Sequence, residues 1–123
     1  MEVINLAEKL ASFSERWSPK VVAELNGQQV KLGKIQGTFI WHHHDVEDEL
    51  FLVVSGRMRM DFRDGEDERH VWLDPGEAIV VPRGVEHRPH ADEETAILLF
   101  EPASTLNTGN VRNERTVEQL QRI

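Results

Sequence analysis

The sequence contains no cysteine among its 123 residues. This absence excludes disulfide bonds, thiolate metal ligands and a cysteine nucleophile. Basic residues are also outnumbered, with 14 Lys and Arg against 22 Asp and Glu, and the net charge of −8 disfavours nucleic acid as a partner. No apolar run approaches the ~20 residues of a membrane span, and the first ten residues do not resemble a secretory signal. We therefore expect a cytoplasmic protein with no membrane or nucleic-acid partner.

The residues that are present predict one domain, 1–123, built mainly of β-strands. Asn26-Gly27 lies between two alternating runs, which is a strong signal for a β-hairpin. Further short apolar runs are separated by Gly, Pro and Asp turns, a pattern typical of an all-β sandwich or barrel. A short helix is expected over 5–13, with Asn5 as its N-cap. The polar C-terminal tail, residues 102–123, is expected to wrap the barrel and to form one helical turn near 117–120.

Three consecutive histidines end the run "FIWHHH", which we interpret as a strand. Because side chains alternate along a strand, His42 and His44 share one face and His43 lies on the other. The acidic turn "DVED" follows, and "ELFLVV" then returns as an antiparallel strand, which places Glu49 opposite His44. A histidine triplet alone is more often a solvated cluster, so the interpretation as a metal site depends on a further ligand.

A second region, "DPGEAIVVPRGVEHRPHA", supplies that ligand. Turns at Pro75-Gly76 and 82–84 flank a short strand, and His87 opens the next strand. Three neutral imidazoles and one carboxylate suit one divalent transition metal, namely Mn, Fe, Co, Ni, Cu or Zn. His90 has an odd offset from His87 and is expected to face outward, and His70 is expected on the surface.

Both regions resemble the two sequence motifs of the cupin superfamily. Residues 37–56 resemble the first motif, in which a glycine precedes His-x-His, a glutamate and a second glycine; the first gap here is four residues, one short of the usual spacing. Residues 76–91 resemble the second motif, Gly, five residues, Pro-x-Gly, two residues, His, three residues and Asn, with Ala91 in place of the Asn. The resemblance implies a small single-domain cupin: an all-β, conical, antiparallel double-stranded β-helix barrel of the jelly-roll type. It also implies a metal at the barrel mouth, with the ligands His42, His44, Glu49 and His87.

Function is less specific, because compact cupins include isomerases, dioxygenases, lyases and proteins that only bind ligands. The resemblance implies a metal-dependent enzyme that acts on a small oxygenated molecule, such as a sugar derivative or an organic acid. The alternative is a non-catalytic, metal-containing module that binds or senses a small molecule. A barrel with a vestigial site is a third possibility, but the intact ligand set argues against it. No catalytic residue outside the metal ligands is assigned.

The run "ELFLVV" is apolar on both faces, although a barrel needs only one of them inside. A homodimer that buries the outer face is the favoured explanation. The alternative is cover by the helix that carries Leu6, Leu10 and Phe13. The alternating set Met58, Met60 and Phe62 is expected in the core, and Trp41 and Trp72 are expected to serve packing.

Overall fold

The computed structural model describes residues 1–123 and contains one short helix and seven strands. The elements follow in the order α1 (Leu6–Ala11), β1 (Lys20–Leu25), β2 (Gln28–Thr38), β3 (Glu49–Ser55), β4 (Met58–Asp64), β5 (Asp67–Leu73), β6 (Ala78–Val81) and β7 (Glu86–Pro102). None of its helices has the length and hydrophobicity needed to cross a bilayer.

Strand β7 organises the architecture. It is 17 residues long. Its C-terminal half lies between β2 and β3 in the order β1-β2-β7-β3-β6, whereas its N-terminal half pairs with β4, which in turn pairs with β5. Every pairing between these strands is antiparallel. A single strand that takes part in both groups of strands closes the fold on itself, which confirms the predicted antiparallel jelly-roll barrel.

The turns follow the sequence signals. Asn26 and Gly27 both have left-handed backbone angles, with φ of 52° and 77°, and they join the paired residues Leu25 and Gln28. Two positive φ angles are what a two-residue hairpin turn requires, so the predicted hairpin is confirmed. Strands β4 and β5 form a second hairpin in the interval between the two motifs.

The core lies on the inner face of the barrel. Met58 and Met60 are fully buried, as predicted, whereas Phe62 is half-buried. Odd-numbered residues of β3 point inward, and those of β7 do so on either side of residues 92–94, which are all exposed. The ten buried apolar residues that pack together are Ile35, Phe51, Val53, Met58, Met60, Leu73, Val81, Ala91, Ile97 and Leu99.

The two chain ends differ in how well the sequence predicted them. Helix α1 forms with Asn5 as its N-cap, whose side chain accepts a hydrogen bond from the Glu8 backbone at 3.0 Å. The tail packs against the barrel, but the helical turn predicted at 117–120 is wrong. The Val117 N–H donates to the Asn107 side chain, and the Arg115 N–H donates to Asn113. The last residues instead form an isolated β-bridge with β1, in which the Val21 N–H donates to the Gln121 carbonyl at 2.9 Å and the Ile123 N–H donates to the Val21 carbonyl at 3.0 Å.

Candidate metal centre

The histidine segment does not form the predicted strand. Strand β2 ends at Thr38, and His42 makes only an isolated pair with His87. His42 lies four residues after Thr38, whereas their partners His87 and His90 are only three residues apart. The histidine segment therefore has one extra residue, and the register shifts by one. Pro89 faces this interval; its carbonyl accepts the Phe39 N–H at 3.0 Å, but it has no N–H to return. The ladder is therefore interrupted beside the histidines.

Despite this irregular backbone, the four predicted side chains meet. The ligand atoms of His42, His44, Glu49 and His87 all lie within 4.8 Å of one another, and all four residues are buried. Glu49 Oε1 lies 2.8 Å from His44 Nε2 and 3.0 Å from His87 Nε2. The cluster therefore presents three imidazole nitrogens and a carboxylate oxygen to one point.

Hydrogen bonds outside the cluster orient two of its rings. The Nδ1–H of His42 donates to the Ile40 carbonyl at 3.0 Å, and that of His87 donates to the Val85 carbonyl at 2.9 Å. Since a carbonyl only accepts, these bonds place the proton on Nδ1 and leave the Nε2 lone pair free for a metal. Neither ring nitrogen of His44 has a well-aligned hydrogen-bond partner, although both are buried. Buried polar atoms without a partner are costly, and a metal ion would satisfy them.

The protonation states also suit a cation. Burial, with the neighbouring His87, lowers the pKa of His42 from 6.5 to about 4, so this imidazole is neutral at pH 7. Burial by itself would raise the pKa of Glu49, but the polar side chains of Glu101, His44 and His87 beside it outweigh burial and hold that pKa well below 4.5. A neutral imidazole and an ionised carboxylate are the forms that bind a metal.

The other histidines lie outside the cluster. The ring of His43 bonds to Asp45, and the ring of His90 bonds to both Thr38 and Asp92. His70 is exposed. The parity argument therefore separated His43 from its two neighbours correctly, although the segment is not a regular strand.

The C-terminal tail contributes to the site in a way that the sequence did not reveal. The His43 N–H donates to the Asn110 side chain at 2.9 Å, and the Asn110 N–H donates to the His43 carbonyl at 3.0 Å. A Cβ atom at Gly109 would lie 2.2 Å from that carbonyl and 3.1 Å from the His42 ring. The tail therefore packs directly against the segment that holds two of the three clustered histidines.

A cavity of about 50 Å³ opens beside His42 and Glu49 inside the barrel. Phe39, Phe51, Ile97 and other apolar side chains form most of its wall, and the rings of Trp17 and Phe39 stack with centroids 4.8 Å apart. The charged pair Lys31 and Glu101 also lines it, as does Lys34. The sequence analysis assigned no role to Trp17 or to this pair; the usable signal was that Lys31 shares strand parity with the inward-facing Ile35.

The two aromatic residues assigned to packing lie away from this cavity. Arg63 and Arg88 stack on the ring of Trp41, and Arg57 and Arg59 stack on that of Trp72. Both tryptophans are half-buried. They serve the packing of arginine side chains, as expected.

Comparisons with known proteins agree with this geometry. Residues 28–101 match the family model for the cupin domain. The solved structure of a cupin-2 domain protein from Shewanella frigidimarina is 45% identical and superposes with a TM-score of 0.77, covering 81% of this chain and 94% of that one. The uncharacterised protein YdbB of Bacillus subtilis is 34% identical over 97 residues, which are 79% of this chain and 77% of YdbB.

Several relatives share one named activity, that of an acireductone dioxygenase. The acireductone dioxygenase of Phaeosphaeria nodorum is 30% identical over 109 residues, or 83% of this chain, but the match spans only 59% of that enzyme. The family match covers more than half of the chain and coincides with the strands that surround the four-residue cluster. The chain therefore belongs to the cupin domain family.

Proposed function

We propose that this cupin binds one divalent transition metal through His42, His44, Glu49 and His87 and acts as a dioxygenase on a small oxygenated molecule. The observation that carries the proposal is the convergence of the four buried ligand atoms within 4.8 Å. Similarity to an acireductone dioxygenase favours oxygen chemistry over isomerase or lyase chemistry. Three imidazoles and one carboxylate leave two positions open on an octahedral ion, as a catalytic site requires.

Each part of the site has a separate task. A redox-active metal such as iron would supply the electron chemistry that dioxygen requires. The carbonyls of Ile40 and Val85 fix the two rings that they bond, and therefore fix which nitrogens face the metal. The apolar cavity wall keeps bulk water away from a bound substrate and strengthens polar contacts made there.

Metal analysis and oxygen consumption test the proposal together. Protein purified without a histidine tag should contain close to one metal per chain. The protein, reconstituted in turn with Fe²⁺, Ni²⁺, Mn²⁺ and Zn²⁺, is then mixed with a panel of enediols and dihydroxyaromatic compounds in an oxygen electrode. Oxygen uptake with one redox-active metal, and none with Zn²⁺, is the expected result. Protein that binds no metal contradicts the metal site. A ligand that binds and is recovered unchanged favours the alternative function of a non-catalytic binding or sensing module.

We also propose that the protein is a homodimer. Two rows of apolar residues cross the outer face of the larger strand group: Val30, Phe100, Leu50 and Val80 in one, and Leu32, Leu98, Leu52 and Ala78 in the other. Val80 is 56% exposed, whereas Leu32 is already fully buried within the single chain. Helix α1 has no buried residue; its Leu10 and Ala11 lie beside Lys34, Ser55 and Ala96 at one edge of this face, and Lys34 donates to the Phe13 carbonyl. The helix therefore leaves most of the face to a second copy, and light scattering at micromolar concentration should give twice the chain mass. A monomer mass contradicts the dimer.

A further inference from the structure

An ion pair lies buried inside the barrel, away from any surface charge. Lys31 Nζ lies 2.7 Å from Glu101 Oε1, and the two residues are only 1% and 3% exposed. Desolvation of two charges offsets most of their attraction, so apolar residues of similar volume at these positions often give equal or greater stability. Stability alone therefore does not explain the pair.

The pair has hydrogen-bonding capacity that the protein does not use. An ammonium group has three donors, and the bond to Glu101 is the only one that Lys31 Nζ makes. Glu101 Oε2 is buried and has no hydrogen-bond partner. One buried donor group and one buried acceptor thus remain available side by side.

Strand register places the ion pair beside the cluster of His42, His44, Glu49 and His87. Strand β7 lies between β2, which carries Lys31, and β3, which carries Glu49. Leu50 and Phe100 are paired, and Glu49 and Glu101 each lie one residue beyond them, so the two carboxyl groups face each other on the inner side. Lys31, Glu101, Glu49 and His42 all line the same cavity. A ligand that reaches the cluster therefore also meets the ion pair.

The cavity further restricts the ligand. Its wall is largely apolar, and its volume of about 50 Å³ admits a small molecule or one end of a larger one. Burial and the charge of Glu49 raise the pKa of Glu101 well above its ordinary value, and the contact with Lys31 opposes that rise. With Lys31 as its counter-ion 2.7 Å away, an additional ligand charge at this point would be buried without compensation. The ligand that fits is neutral at this end and both accepts and donates a hydrogen bond. A hydroxyl group has that property.

We propose that Lys31 and Glu101 form a hydroxyl-binding subsite that selects the substrate. The ammonium donates a hydrogen bond to the hydroxyl oxygen, and Glu101 Oε2 accepts the hydroxyl hydrogen. The inference rests on the proposed function in one respect, namely that a second oxygen of the same molecule faces the metal ligands. The substrate class is then a small, neutral molecule with an apolar body and two oxygens, at least one of them a hydroxyl.

A matched pair of probes tests the subsite. Catechol has two hydroxyls, and 2-methylphenol has a methyl group in place of one of them. Binding is measured by calorimetry without oxygen on Zn²⁺-loaded protein, so that no turnover occurs. The native protein should bind catechol at least about tenfold more tightly than 2-methylphenol, because the methyl group leaves the buried donor and acceptor unpaired.

Removal of both charges should abolish this preference. The double variant Lys31→Met/Glu101→Leu keeps the interior neutral, so neither charge is left unpaired. We expect it to retain metal and to bind the two probes within about twofold of each other. The surface ion pair of Arg122 and Glu24 gives the control, since Arg122→Met/Glu24→Leu should leave the preference unchanged. If the double variant does not fold, Glu101→Gln, which keeps the volume, should still reduce the preference at least about threefold.

Other outcomes separate this inference from the proposed function. A double variant that retains metal and the full catechol preference overturns the subsite. So does loss of metal in that variant, which would show that the pair serves to hold Glu49. Native protein that binds no metal contradicts the proposed function. The preference for catechol over 2-methylphenol can still be measured in that protein, and its presence or absence tests the subsite. Native protein without a preference for catechol also overturns the inference.

Discussion

The two ends of the barrel interior are buried to the same extent but are built differently. Met60 and His87 are both 0% exposed. Along β3 the inward-facing residues change from Glu49 to Phe51 and Val53, and along β7 they change in the same direction from Glu101 to apolar residues. The apolar end needs only packing to be stable. The polar end holds partnerless nitrogens and a partnerless carboxylate oxygen, which lower stability unless a ligand binds them.

This contrast identifies the functional end without reference to any relative. A fold that needs only a core would bury apolar residues at both ends, because unsatisfied buried polar groups cost about 1–3 kcal/mol each. Departures from that rule are expected where a protein binds something. The polar end should therefore respond to ligands and protons, and the apolar end should respond to changes of volume.

The largest effect is expected from loss of a metal ligand. Replacement of His44 or Glu49 by Ala removes a proposed metal ligand and should weaken metal binding by more than about a hundredfold, beyond the loss seen for residues that only orient a ligand. Metal content after dialysis, measured by mass spectrometry, gives the result. Stoichiometric metal in the double variant His42→Ala/His87→Ala would show that the ion is bound elsewhere.

The second-largest effect is expected from acid, which should lower both stability and metal occupancy through the polar end. His42 has a pKa of about 4 in the folded protein and 6.5 as its ordinary value. Between these values the unfolded chain binds more protons, so the free energy of unfolding falls as pH drops from 6.5 to about 4, by about 3 kcal/mol in total. Metal occupancy should decline over the same interval, because protons compete for the imidazoles. Denaturant titrations and metal analysis from pH 8 to pH 4 measure both, and flat profiles would contradict this explanation.

A substitution at the apolar end should lower the stability of the protein without changing its metal binding. Met60→Ala leaves a cavity in a fully buried position and should lower the free energy of unfolding by about 2–5 kcal/mol. The metal content of the folded protein should not change. Val46, which is 66% exposed, provides the control, since Val46→Ala should change stability by less than about 0.5 kcal/mol. A loss of metal in folded Met60→Ala protein would show that the two ends are coupled.

A smaller effect is expected where the tail meets the histidine segment. Gly109→Ala combines a left-handed backbone, φ 57°, with a Cβ only 2.2 Å from the His43 carbonyl, so the tail must move. Gly65→Ala is the matched control, because its φ is 62° but its Cβ would meet no atom. Backbone strain costs about 1–2 kcal/mol in both variants. Only Gly109→Ala should also weaken metal binding, by a few-fold, and equal metal affinities would exclude a role for the tail.

The smallest effect is expected at His43. Its ring bonds to Asp45 and does not enter the cluster. His43→Ala should therefore leave metal content and metal affinity within about twofold of the native values, since a surface substitution of this kind changes stability little. A large loss of metal would mean that the alternation of the three histidines has been misassigned.

Local signals were enough to predict much of this protein. Asn26-Gly27 predicted its hairpin because those residues tolerate the positive φ angles that the turn requires. The spacing of His42, His44, Glu49 and His87, together with the cupin motifs, predicted the residues that form the cluster. The prediction for 117–120 was wrong because apolar spacing does not show that the end of the chain pairs with β1, where the Val21 N–H donates to the Gln121 carbonyl.

What the sequence by itself determined is therefore most of the strands, their turns and the identity of the clustered residues, since side-chain alternation and turn preference act over a few neighbours. Only the tertiary structure decided which distant charges share the cavity. Lys31 and Glu101 are 70 residues apart, and they meet because β7 lies between β2 and β3. The contact of Asn110 with His43, 67 residues away, has the same origin. Contacts of this kind depend on which strands become neighbours, and no local pattern along the chain records that arrangement.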